Sequence, residues 1–274
     1  MRSWPALDVQ GSPDPELLLA DADEFSPTAL DDRHATVRLY FATKGDRDAA
    51  CVTLARGYVV EPIEVDDHDW VRRSQQNLEP ITVGRITVAP PWAGLKSCAT
   101  TIVIEPSMGF GTGHHATTRL CLAALQTVDL AGAFVLDVGT GSGILAIAAA
   151  RLGAARALGI DSDPDAIQSA RENLVLNVGV GHVVFEVADL TSVQLPTADV
   201  VTANLTGTLL VRAAAPLTRA LCPGGTLILG GLLVDERQVV RDAFASLESL
   251  WENREDEWVG LAFSKPGTAR SGLM

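Results

Sequence analysis

Long apolar runs are missing from this chain. Ile144–Ala150 and Leu227–Val234 are both ended by charges, well short of the roughly 18 to 20 residues that a membrane helix needs. The start, Met1-Arg2-Ser3-Trp4-Pro5, reaches Asp8 too soon to hold a signal-peptide core, so a cytoplasmic protein with no membrane partner is expected. Cysteine is scarce as well. Cys51, Cys98, Cys121 and Cys222 lie far apart and form no C-x-x-C pair, which excludes a zinc site of that kind and a disulfide framework and leaves reduced core thiols. Basic residues are outnumbered, 21 against 34 acidic, giving a net charge of −13 and a pI near 4.7. Such a field repels a phosphate backbone and attracts basic partners, and with basic pairs such as Arg72-Arg73 in place of a basic face, nucleic acid is not expected as the main ligand. Internal repeats and low-complexity tracts are absent, and only Gly267–Met274 reads as a loose tail.

What is present is a large apolar fraction. Hydrophobic residues make up 47% of 274, and mean hydropathy is +0.20, enough for a sizeable core in one or two domains. From Phe134 onward, short β-branched runs alternate with helical periodicity, the pattern of βα units in a doubly wound, mostly parallel α/β sheet. The strand runs are Phe134–Val138, Ala157–Asp161, Val183–Val187, Asp199–Asn204, Thr226–Gly230 and Val259–Phe263. Between them, Ile144–Leu152, Pro164–Asn177, Thr208–Leu221 and Asp235–Leu250 carry apolar residues three and four apart.

Residues 1–64 read as a separate α+β module of ferredoxin-like type. Its strands are expected near Trp4–Val9, Ala35–Phe41 and Tyr58–Val65 and its helices near Pro15–Phe25 and Gly45–Arg56; the polar stretch Ser26–Arg33 leaves one strand unplaced. Residues 65–101 read as a linker, with a short helix candidate at Asp69–Asn77 and extended sequence at Ile81–Trp92. The catalytic domain is then 102–274.

The chemistry starts at Leu136-Asp137-Val138-Gly139-Thr140-Gly141-Ser142-Gly143, a strand running into a glycine turn and a helix. Glycine is needed where φ is positive or where backbone must approach a ligand without a Cβ in the way. A dinucleotide fold wants G-x-G-x-x-G; here the third glycine comes one residue early, and Ile144 fills the sixth place. The G-x-G-x-G pattern favours S-adenosylmethionine, with Gly139, Gly141 and Gly143 as its backbone contacts. Asp161, 22 residues after Gly139 at the end of the next strand, is placed to accept hydrogen bonds from two ribose hydroxyls. Asp163 precedes Pro164 and reads as an N-cap. Asp189, after the third strand, falls where an adenine amino group would lie.

Upstream, Phe110-Gly111-Thr112-Gly113-His114-His115-Ala116-Thr117-Thr118 reads as a loop that folds over a ligand, with Thr117 and Thr118 capping the helix that follows. Adjacent histidines diverge and no third ligand is near, so no metal is expected. With the segments Leu136–Ala148, Gly159–Pro164, Ala203-Asn204-Leu205 and Glu257-Trp258, this loop resembles the ribosomal protein L11 methyltransferases, in register from about Asp66 to Phe263. The chain departs from that family's usual pattern at Ser74, at Ser107 and at Thr206-Gly207.

The resemblance implies a seven-stranded methyltransferase sheet and cofactor contacts from Thr118, Gly139, Asp161 and Asn204. It also implies an N-terminal ferredoxin-like domain that grips a basic ribosomal protein, whose lysine side chains or N-terminal amine are methylated. Phe110, Thr117 and Asn204 are the candidate catalytic residues, and a monomer is expected. A lysine is mostly protonated at neutral pH, at a cost of roughly 4.6 kcal/mol for reaching the free amine unless the site helps. Asn204 and nearby carbonyls are expected to orient that amine. A nucleic-acid base methyltransferase would carry Asn/Asp-Pro-Pro-Tyr/Phe after the fourth strand, and Asn204-Leu205-Thr206-Gly207 lacks it. A methyltransferase acting on another protein lysine or on a small molecule remains the alternative. A non-catalytic binding module is disfavoured by the intact turn and ribose acid.

Overall fold

The structure, a computed structural model, describes residues 3–11, 13, 14, 18, 21, 22, 25, 27–32, 35–66, 78–95, 100–105 and 114–267. It divides into two compact units, Met1–Asn77 and Leu78–Met274.

In the first unit, β1 (Ser3–Gln10), β2 (Ala29–Asp32), β3 (Thr36–Tyr40) and β4 (Val60–Asp66) form one antiparallel sheet in the order β2-β3-β1-β4. Helix α1 (Lys44–Leu54) is capped by Thr43, whose Oγ1 accepts from the Asp46 amide. Strand alternation sends Leu7, Val9, Val37 and Leu39 to one face, where they bury against Leu18, Ala22, Ala50 and Leu54. The strand that composition hid is β2, inside the polar stretch Ser26–Arg33. It lies at the sheet edge, where polar residues are tolerated. The helix expected over Pro15–Phe25 falls largely outside the described residues, as does the one at Asp69–Asn77.

The second unit opens with β5 (Ile81–Val83), β6 (Ile86–Ala89) and β7 (Thr101–Val103), a three-stranded sheet whose first two strands lie in the stretch read as linker and whose third straddles its end at residue 101. Then follow α2 (Ala116–Leu125), β8 (Phe134–Val138), α3 (Ile144–Arg151), β9 (Arg156–Asp161), α4 (Pro164–Leu176), β10 (His182–Val187), β11 (Ala198–Asn204), α5 (Gly207–Arg212), α6 (Ala214–Ala220), β12 (Leu221–Leu233), α7 (Arg237–Ala243), β13 (Glu248–Glu255) and β14 (Trp258–Ser264).

The seven-stranded sheet runs β10-β9-β8-β11-β12-β14-β13, parallel except for β14, which is antiparallel to both neighbours. Its reversal of order between β8 and β11 is the doubly wound switch point, where a ligand cleft forms at the strands' carboxyl ends. Apolar side chains alternate between two cores. Val135, Val200 and Ile228 face α2, α3 and α4; Leu136, Val201 and Leu229 face α5, α6 and α7.

Two expected helices change. Thr208–Leu221 is split at Ala213 into α5 and α6, and Asp235–Leu250 stops at Ala243, so that Glu248–Leu250 begins an antiparallel edge strand instead. Among the described residues, no helix is long and apolar enough to cross a membrane.

Candidate active site

The site is built from the carboxyl ends of β8, β9, β10 and β11. In β8 the apolar strand carries one acid, Asp137, fully buried and in register with Thr202 of β11. Thr202 Oγ1 donates to its Oδ1 at 2.6 Å and Thr140 Oγ1 to its Oδ2 at 2.6 Å. The Ala146 amide in the first turn of α3 donates as well. Burial pushes this carboxyl up to about 6, with the three hydrogen bonds opposing.

Above Asp137 the chain turns. The Gly139 and Thr140 amides both donate to the Ile160 carbonyl at 2.9 Å, which hooks the turn to β9. Gly139, Gly141 and Gly143 have φ of +71°, +52° and +81°. A β-carbon at Gly139 would sit 2.4 Å from Leu205 Cδ2, and one at Gly143 would sit 2.6 Å from Phe185 Cζ. Gly143 therefore answers to packing beneath the turn. It is also the N-cap of α3 and makes no side-chain cap bond there.

Asp161, half-buried at the end of β9, accepts from the Gly141 amide at 3.0 Å through Oδ2 and from the Asp163 amide at 3.1 Å through Oδ1. Asp163 caps α4 as expected, accepting from the Asp165 amide at 2.9 Å. Asp189 follows β10 and is exposed. Its Oδ1 accepts both the amide and the hydroxyl of Thr191 at 2.8 Å, which holds the carboxyl below its ordinary value.

Asn204 ends β11, and its Nδ2 lies 3.5 Å from Oγ1 of Thr118, a fully buried residue of α2. Thr117 is buried beside it, its Oγ1 2.9 Å from His115 Nδ1. The cap of α2 is His115, whose Nδ1 accepts from the Thr117 amide at 3.4 Å. The two threonines occupy the first turn instead, because the helix starts at Ala116. The His115 and Trp258 rings pack at a steep angle of 68° with centroids 4.8 Å apart, and Arg119 pairs with Glu255 while donating to the His114 carbonyl. The structure thus brings Thr117, Thr118, the glycine turn, Asp161 and Asn204 to one end of the sheet. Phe110 lies outside the described residues.

A family profile for ribosomal protein L11 methyltransferase (PrmA) matches residues 25–266. The chain belongs to the ribosomal protein L11 methyltransferase family. It is 41% identical to the ribosomal protein L11 methyltransferase of Deinococcus radiodurans over 227 residues, 80% of this chain and 81% of that one. Against the Geobacter metallireducens protein of the same name, identity is 40% over 269 residues, covering 89% and 86%. A crystal structure of ribosomal protein L11 methylase from Lactobacillus delbrueckii subsp. bulgaricus superposes with a TM-score of 0.61 at 28% identity, over 69% of this chain and 98% of that one. This member of the L11 methyltransferase family is an S-adenosylmethionine-dependent protein methyltransferase.

Sequence reasoning passed over three contributors. Asp137 was legible as a lone acid in an apolar strand. Gly230 and Gly231 lie within β12: a β-carbon at Gly230 would lie 2.5 Å from Cys121 Sγ and 2.9 Å from Asn204 Oδ1, and one at Gly231 would lie 2.4 Å from the Leu205 carbonyl oxygen. Glycine at both places lets β12 pass close behind Asn204-Leu205. The departure at Gly207 has a local reason, since a β-carbon there would lie 2.5 Å from the Glu236 carboxyl carbon. Ser74 and Ser107 lie outside the described residues.

Proposed function

We propose that this chain transfers methyl groups to amines, lysine side chains or an N-terminal amine, of a basic ribosomal protein of the L11 type, as a cytoplasmic monomer. The observation that carries the reading is the meeting of Asn204 with Thr118 beside a glycine turn tied to Asp161, in a chain whose relatives are named for that substrate. The net charge of −13 suits a basic protein partner.

S-adenosylmethionine supplies a sulfonium methyl group open to in-line attack by a neutral amine. The residues present fit that cofactor. Three positive-φ glycines expose main chain without β-carbons. A carboxylate has about four lone-pair sites, so Asp161 keeps capacity for ribose hydroxyls while it holds Gly141. Asp189 would hold the adenine amino group; both bonds to Thr191 run through Oδ1, leaving Oδ2 outside that turn. Thr118 would contact the cofactor, and Phe110 and Thr117 would border the acceptor.

Asn204 has an amide oxygen that can accept from the attacking amine, and its Nδ2 is steadied by Thr118. Orientation and removal of water then favour the neutral amine without a strong base. Incubation with labelled S-adenosylmethionine and total ribosomal proteins is expected to label one L11-type band; label in RNA, or in no ribosomal protein, would overturn the substrate. Asn204→Ala is expected to lower kcat about a hundredfold, in keeping with loss of a transition-state contact. Unchanged turnover and cofactor binding would remove Asn204 from the site.

A further inference from the structure

Two side-chain amides lie fully buried in the apolar layer between α4 and the sheet. Asn173 and Asn177 are 0% and 2% exposed, in the same layer as Ala170, Ile102, Ile104 and Phe185. An amide in such a place is tolerated only when its hydrogen bonds are made. Asn177 Oδ1 accepts from the Val103 amide at 3.0 Å, and its Nδ2 donates to the Val103 carbonyl at 2.6 Å and to the Asn173 carbonyl at 2.8 Å. Asn173 Oδ1 accepts from the Glu105 amide at 2.7 Å.

The spacing explains the match. Residues four apart on a helix rise about 6.0 Å, and alternate residues of a strand about 6.6 Å. The two amides therefore line up with Val103 and Glu105, whose main-chain groups face away from β6; the intervening Ile104 amide donates to Ala89 on the β6 side at 3.0 Å. A helix face stands in for a neighbouring strand.

The two asparagines differ in where their second bonds go. Among the described residues, Asn177 Nδ2 donates to the Val103 carbonyl and back to Asn173 of α4. Asn173 donates from Nδ2 to the Ser142 carbonyl at 2.9 Å, inside the glycine turn. One side chain thus joins the turn to the segment at Glu105, from which the sequence runs through Phe110 to α2 with Thr117 and Thr118. We propose that Asn173 is a positioning residue that holds the cofactor turn and the acceptor-side segment in one register, so that the two sides of the site are set together. The proposal rests on the reading that the glycine turn binds S-adenosylmethionine.

The test compares wild type, Asn173→Leu and Asn177→Leu, two near-isosteric changes that each delete a buried amide. Thermal unfolding gives stability and calorimetry gives the Kd for S-adenosylhomocysteine. Both variants are expected to lose stability to a similar extent, while Asn173→Leu raises Kd about tenfold and Asn177→Leu leaves it within about twofold. Asn173→Asp adds a pH signature: weak binding near pH 8 should recover near pH 5.5, where the carboxylic acid regains a donor for Ser142. Equal changes in Kd for both leucine variants, or none for Asn173→Leu, would overturn the proposal. Should the leucine variants fail to fold, hydrogen exchange on wild type decides. S-adenosylhomocysteine should slow the Gly141–Gly143 and Glu105 amides together, and slowing of the turn alone would overturn the coupling. A wild type that does not bind would instead overturn the functional reading, and this one with it.

Discussion

The centre and the edge of one sheet treat the same side chain in opposite ways. Asp137 lies next to the end of the central strand β8, sealed under the glycine turn with three donors around it, and burial pushes its carboxyl up to about 6. Asp189 follows the edge strand β10, open to water, and two bonds from Thr191 hold its carboxyl below the usual value. Asp161, on the strand between, is half-buried and splits its oxygens between Gly141 and Asp163. Position in the sheet sets what surrounds each carboxyl: buried donors at Asp137, main-chain amides at Asp161 and a solvent-exposed turn at Asp189.

The comparison breaks most readily at the centre. Asp137→Ala strands two buried hydroxyls and the Ala146 amide, and a loss of about 4 kcal/mol in unfolding free energy is expected by denaturant titration. Because the folded-state value lies above the unfolded 3.8, the stability this group contributes is complete below about pH 4 and is lost as pH rises through about 6. The interval from 3.8 to about 6 corresponds to about 3 kcal/mol. Unfolding curves between pH 4 and 7 should therefore show that slope in wild type and not in Asp137→Asn; identical slopes would place the proton elsewhere. Between centre and edge, Asp161→Ala is expected to raise the Kd for S-adenosylhomocysteine about thirtyfold, through lost ribose bonds and a loosened Gly141. At the edge, Asp189→Ala should change that Kd by no more than about threefold, as an exposed contact already solvated would. An edge effect larger than that of Asp161 would reverse the ranking.

Legibility followed the same gradient. β8 runs over the residues the sequence marks, a central strand that must be an apolar run ended by a turn, and β9 and β10 depart by one residue each, β10 keeping its β-branched run although more than half of it faces water. β13 was hidden: among the described residues it pairs only with β14, is exposed along most of its length and is bulged between Ser249 and Trp251, so no two-residue alternation marks it. The short strands β5 to β7 carried too few residues to tell from linker. At the site, the turn, Asp161 and Asn204 stood out through motif spacing. Asn173, Asn177 and Gly230-Gly231 did not, since their work is contact with distant segments of the chain. The His115 cap was missed because Thr is the commoner capping residue and no local signal favoured the imidazole.

The clasp at the start of α2 bears on the order in which the site is assembled. His115 leans on Trp258 and Arg119 pairs with Glu255, contacts that span 143 and 136 residues of chain on either side of the hairpin turn at Asp256. Closing loops of that length is slow compared with forming a local strand-turn-helix. A growing chain can therefore complete its glycine turn long before Thr117 and Thr118 are clamped in place, and the two halves of the candidate site mature at different times, the Thr117-Thr118 side waiting for the β13–β14 hairpin.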